Sequence, residues 1–97
     1  MQINIKDLRS IINTTLDSLE NKYDKNIDIP NDYYWYLETS DLLNINKEPT
    51  LFNLGQISED WDFIKNSNDN INGYTLKNIS TILRLMSYDK DGNYILV

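Results

Sequence analysis

Only one long stretch of this chain carries a sustained helical period, and its abrupt end limits the folds available. Apolar residues at Ile5, Leu8, Ile12, Leu16, Leu19 and Tyr23 recur at spacings of three and four, drawing one stripe down a helix over residues 4–23. Asn4 is placed to cap that helix, Asp7 to reach back toward the cap, and Ile3 to staple onto Leu8. The stripe covers too few heptads for a coiled-coil seam, so it reads first as a core-facing surface.

Across residues 25–54 the helical period is gone. Pro30 and the Asn31-Asp32 turn signal precede the four aromatics Tyr33, Tyr34, Trp35 and Tyr36, which favours a short strand over 33–37. Pro49 and Gly55 punctuate the residues after that strand, leaving room for one helical turn near 41–45 in an otherwise irregular stretch.

A helical pattern then returns twice. Ser58 can cap a helix over 58–67 that opens with Glu59, Asp60 and Asp62 and carries Lys65 near its end, in keeping with the helix dipole. After a polar loop and an Asn72-Gly73 turn, Thr75 can cap a helix over 75–87, with Leu76, Ile79, Leu83 and Met86 in line. The closing residues 93–97 predict a strand, paired with 33–37. A hairpin between the end of the third helix and these last residues is the lesser alternative. The expected fold is α+β and mainly α: three helices and a two-stranded β element in one domain over 1–97, a length suited to a single core.

Function classes narrow by absence. With no cysteine there are no thiolate ligands or thiol nucleophiles, and with no histidine the usual proton shuttle near neutral pH is missing. Catalysis would have to rest on carboxylates, lysines, tyrosines or serines, so the expectation is a protein that binds and does not catalyse, without cofactor. Asp89, Asp91 and Asn93 imitate the first half of a calcium loop, but Tyr94 stands where the loop needs glycine and the bidentate glutamate has no counterpart before Val97. The segment is therefore read as a turn, and no metal is expected. No apolar run suffices for a membrane span, and the N-terminus becomes charged before a signal-peptide core could form, so a soluble, cytoplasmic protein is expected.

Charge is uneven. Between Asp28 and Asp62, eight acids face only Lys47, whereas acids and bases nearly balance elsewhere, so the formal net charge of −6 belongs to the middle third. The same third holds the aromatic run. Acids around apolar residues are ordinarily the solvated outside of a core, which keeps a small protein soluble. They also suit an interface in which exposed aromatics anchor a partner and carboxylates steer a basic surface toward them. Since a strand sends alternate side chains to opposite faces, either Tyr33 with Trp35 or Tyr34 with Tyr36 should face outward. The candidate partner-binding residues are Tyr34, Trp35, Tyr36, Glu38, Asp41, Glu59, Asp60 and Asp62. Scattered bases and clustered acids argue against direct nucleic-acid binding, and favour a basic protein as partner.

The stretches "DIPNDYYWYL", "LGQISEDWDFIKN" and "LKNISTILRLMS" resemble a pattern in small uncharacterised bacterial proteins. In size and acidity the chain also resembles the immunity proteins that bacteria carry against their own secreted toxins. That likeness implies a cytoplasmic inhibitor capping a cationic nuclease toxin, as a monomer or weak homodimer. The alternative is a small homo-oligomerising structural domain that uses its aromatic stretch.

Overall fold

The computed structural model describes residues 1–67 and 70–96. Helix α1 spans Ile5–Tyr23, strand β1 Tyr33–Leu37, the single turn α2 Thr39–Leu42, strand β2 Phe52–Gln56, helix α3 Ile57–Lys65 and helix α4 Gly73–Met86. The expected α+β class and the three long helices are present. The strand partner differs.

β1 pairs antiparallel with β2, in the register Tyr33 to Gln56, Tyr34 to Gly55, Trp35 to Leu54, Tyr36 to Asn53 and Leu37 to Phe52. Residues 93–96 are not that partner, and Val97 lies outside the described residues. Instead the chain after α4 turns back on itself: Tyr88 and Tyr94 form an isolated bridge with stacked rings 4.8 Å apart, and the Ile95 amide donates to the Ser87 carbonyl. The lesser alternative, residues 84–88 paired with 93–97, is met only in this bridge, since residues 84–86 stay in α4. The tip of the turn is the Asp89–Asn93 segment, where Asp89 Oδ1 accepts from the Asp91 amide at 2.8 Å and the Asn93 amide at 3.0 Å, and Gly92 takes φ +81°. The carboxylate that would have opened a calcium loop is occupied in building a turn.

Local chemistry explains the helix starts. The Asp7 amide donates to Asn4 Oδ1, as the sequence suggests. In α4 the cap is Asn72 and not Thr75: Asn72 Oδ1 accepts from the Tyr74 and Thr75 amides, and Thr75 Oγ1 accepts from the Asn72 amide, closing a capping box. The polar loop before it includes residues 68 and 69, which lie outside the described residues. In α3, Ser58 is not the cap either. Asp32, 26 residues upstream, accepts from the Ser58 amide at 2.7 Å and from the Ser58 hydroxyl and Gln56 Nε2 at 2.8 Å, while its own carbonyl accepts from the Ile57 amide. Charge-assisted bonds to an orphan helix amide favour the ionised carboxylate, so the Asp32 carboxyl is held below the usual aspartate value, first by the Ser58 amide.

The core lies between α3 and α4, where Ile57 and Ile82 are buried together with Thr75 and Asn78. The sheet packs its inner face toward these helices, and residues 25–32 run past Ile57, Trp61 and Ile82. Helix α1 buries no residue.

Candidate functional site

The two phases of the aromatic run are resolved by a glycine. Gly55 stands directly opposite Tyr34, and a Cβ there would meet the Tyr34 ring, with Cε1 and Oη each at 2.7 Å. Because the strand lacks a side chain at this point, the ring lies across β2 and its hydroxyl donates to Asp60 in the first turn of α3. Partial burial, and then the bond to Asp60, push the Tyr34 hydroxyl up to about 12. Tyr36 also turns inward, its ring 6.1 Å from that of Tyr34 and beneath Lys77 Nζ at 4.4 Å. Tyr34 and Tyr36 thus fasten the sheet to α3 and α4.

With Tyr34 and Tyr36 inside, Tyr33 and Trp35 face solvent on β1, and across from them Phe52 and Leu54 do so on β2. Tyr33, Trp35, Phe52 and Leu54 are between 56% and 66% exposed, and Trp35 lies directly across from Leu54 on the outer face. Cross-strand neighbours on one face touch, so these side chains form one apolar strip.

The eight sequence-derived candidates divide accordingly. Trp35 is on the strip. Tyr34 and Tyr36 are beneath it, and Asp60 is committed to Tyr34. Glu38 and Asp41 sit together at the end of the strip near Leu37 and Phe52, where Glu38 accepts from the Asn53 amide side chain and its carbonyl accepts from the Asp41 amide. Glu59 is at the opposite end, sharing a cleft of about 320 Å³ with Tyr33, Leu54 and Gln56. Asp62 points elsewhere, 4.0 Å from Lys65 and beside Phe63 and Asn66. The three acids of α3 therefore do not act as one cluster, since a 100° step per residue sends Asp60 and Asp62 to opposite sides.

Sequence reasoning missed Phe52 and Leu54 as parts of the face. A Leu-Phe-Asn-Leu-Gly stretch after a proline carries only weak alternation, although Phe52 and Leu54 are two apart, the spacing of one strand face. Among the described residues, no group of three or more acids is arranged to hold a metal ion, and no helix is long and apolar enough to cross a membrane. In comparisons with known proteins, no family model, no curated protein and no solved structure matches this chain.

Proposed function

We propose that this chain is a non-enzymatic acidic binding protein that inhibits a basic protein partner in the manner of an immunity protein, a secreted nuclease toxin being the kind of partner that fits. The observation that carries the reading is the outer strip of Tyr33, Trp35, Phe52 and Leu54, apolar along its length, with Glu59 sharing a cleft with Tyr33 and Leu54 at one end and Glu38 and Asp41 following in the chain just past Leu37 at the other. Large aromatics surrounded by charge are the usual composition of an energetic centre with a steering rim. The underside adds rigidity, because Tyr34, Gly55 and Asp60 fix the strand that presents Trp35. A preorganised face loses less freedom on binding than a loop would.

The test is low-salt capture from lysate of the source organism, with three tagged baits compared by mass spectrometry: the native chain, Trp35→Ser, and the combined Glu38→Lys and Glu59→Lys variant. A basic protein held by the native chain, lost with Trp35→Ser and released by salt or by charge reversal, supports the reading. Any partner can then be checked for inhibition in its own assay. Equal capture by all three baits would remove the strip from any role in binding.

A further inference from the structure

Helix α1 presents a second apolar surface, on a different element and independent of the sheet. Ile5, Leu8, Ile12 and Leu16 are all exposed, and Leu19 is only half-buried. The whole molecule exposes 8453 Å², against about 5,800 Å² expected for a compact monomer of 11.4 kDa. Its radius of gyration is 15.1 Å where about 12.5 Å is expected. The surplus is about 2,700 Å² per chain, so about 5,400 Å² for a pair of chains, at the upper end of what obligate dimers bury in total.

The stripe itself indicates what covers it. From Ile5 through Leu8, Ile12 and Leu16 to Leu19 the spacings are three, four, four and three, a sequence that reads the same in either direction about Ile12. The two halves of the helix also carry opposite net charge. Lys6 and Arg9 outnumber Asp7 in the first half, and Asp17 and Glu20 outnumber Lys22 in the second. Among the described residues none of these charges has an ion-pair partner within the chain. Thr15 and Ser18 bond their hydroxyls back to the carbonyls of Ile11 and Thr14.

We infer that α1 is the seam of a homodimer, pairing antiparallel with α1 of a second copy about a two-fold axis at Ile12. That arrangement sets Ile5 level with Leu19 of the second copy and Leu8 level with its Leu16, and brings each basic first half against an acidic second half. An isologous contact of this kind requires a self-complementary patch, which the stripe supplies. It also fills a groove of about 310 Å³ between the second half of α1 and the end of α4, lined by Leu16, Leu19, Leu83, Met86 and Leu96. The first half of the incoming helix lies over that groove. A membrane surface is the poorer match, because the polar side of α1 balances acids against bases and lacks the cationic excess of interfacial helices.

The native chain contains no cysteine, so introduced thiols report the geometry without background. Sedimentation equilibrium of the native chain should give twice the 11.4 kDa monomer mass, and Leu8→Glu with Leu16→Glu should halve it while the Tyr34 titration stays in place. Under oxidising conditions Ile12→Cys should form a cross-linked dimer, Ile5→Cys alone should not, and an equimolar mixture of Ile5→Cys and Leu19→Cys should. A native chain that sediments as a monomer at high micromolar concentration, with no Ile12→Cys cross-link, overturns the inference. So does efficient cross-linking of Ile5→Cys to itself, which marks a parallel pair, or a dimer indifferent to the two glutamates.

Discussion

Replacing Gly55 with alanine should change sign according to what stands at position 34. In the native background the new methyl meets the end of the Tyr34 ring, which must swing off β2 and release Asp60. A hydrogen bond to a charged acceptor contributes about 1.5–3 kcal/mol when dry, and screening at this partly exposed site reduces that to about 1 kcal/mol. Lost ring contact with the strand, about 40 Å² at 25 cal/mol per Å², adds about 1 kcal/mol. Against these, alanine in a strand recovers about 0.5–1 kcal/mol of backbone entropy. The net expectation is destabilisation by about 1–1.5 kcal/mol. With Tyr34→Ala already in place the clash is gone, and the same substitution should stabilise by about 0.5–1 kcal/mol. Urea unfolding followed by far-UV circular dichroism measures all four corners of the cycle, where a slope of about 1 kcal/mol per M turns the coupling of about 2 kcal/mol into a midpoint difference near 2 M. Ultraviolet titration gives an independent reading: one tyrosine near pH 12 in the native protein, returning toward the ordinary value in Gly55→Ala. Because the folded value is raised, the stability linked to Tyr34 is complete below its unfolded value and disappears as pH climbs from about 10 to about 12. If Gly55→Ala had equal effects in both backgrounds, within about 0.5 kcal/mol, the steric account of the glycine would be wrong.

The Asp32 carboxyl is depressed in the folded state, so its contribution is present above its unfolded value near 3.8 and is lost as pH falls below that toward the folded value. Urea midpoints from pH 6 down to 2 should fall less steeply for Asp32→Ala than for the native chain, and parallel curves would dismiss Asp32 as the cap of α3. Asn72→Ala opens the capping box of α4 and should cost about 1 kcal/mol in the same unfolding assay, with Asn72→Asp close to native; an unchanged midpoint for Asn72→Ala would show the box to be idle.

How much of this was legible depended on whether the signal was local. The stripe of α1 and its Asn4 cap could be read directly, since both lie within a turn or two of each other. β1 was legible as a strand because β-formers come after a proline. Its partner was not, for β2 reverses the normal pattern: Asn53 and Gly55 face inward and Phe52 and Leu54 outward, so hydrophobic alternation says nothing useful about which side is core. The facing of the aromatic run was undetermined for a related reason, as both of its phases are aromatic. Only the register against Gly55 decides it, and register is a property of two segments. Asp32 read as a turn residue because its helix begins 25 positions later, at Ile57. Asp60 and Asp62, neighbours in sequence and alike in charge, took separate roles once the helix turned them apart. Charge composition alone could not have distinguished the one beneath the sheet from the one in solvent.

The bonds from Asp32 to Ile57 and Ser58, together with Tyr34 to Asp60, close the chain into a buckle whose strap is the excursion between the strands. A strap held at its base is insensitive to its own length. Each doubling of such a loop costs only about 0.6 kcal/mol, so residues 44–47, beyond α2 and exposed, are a natural port for an inserted tag or reporter. The strip on β1 and β2 should keep its shape with such cargo attached, because its register is set by the buckle.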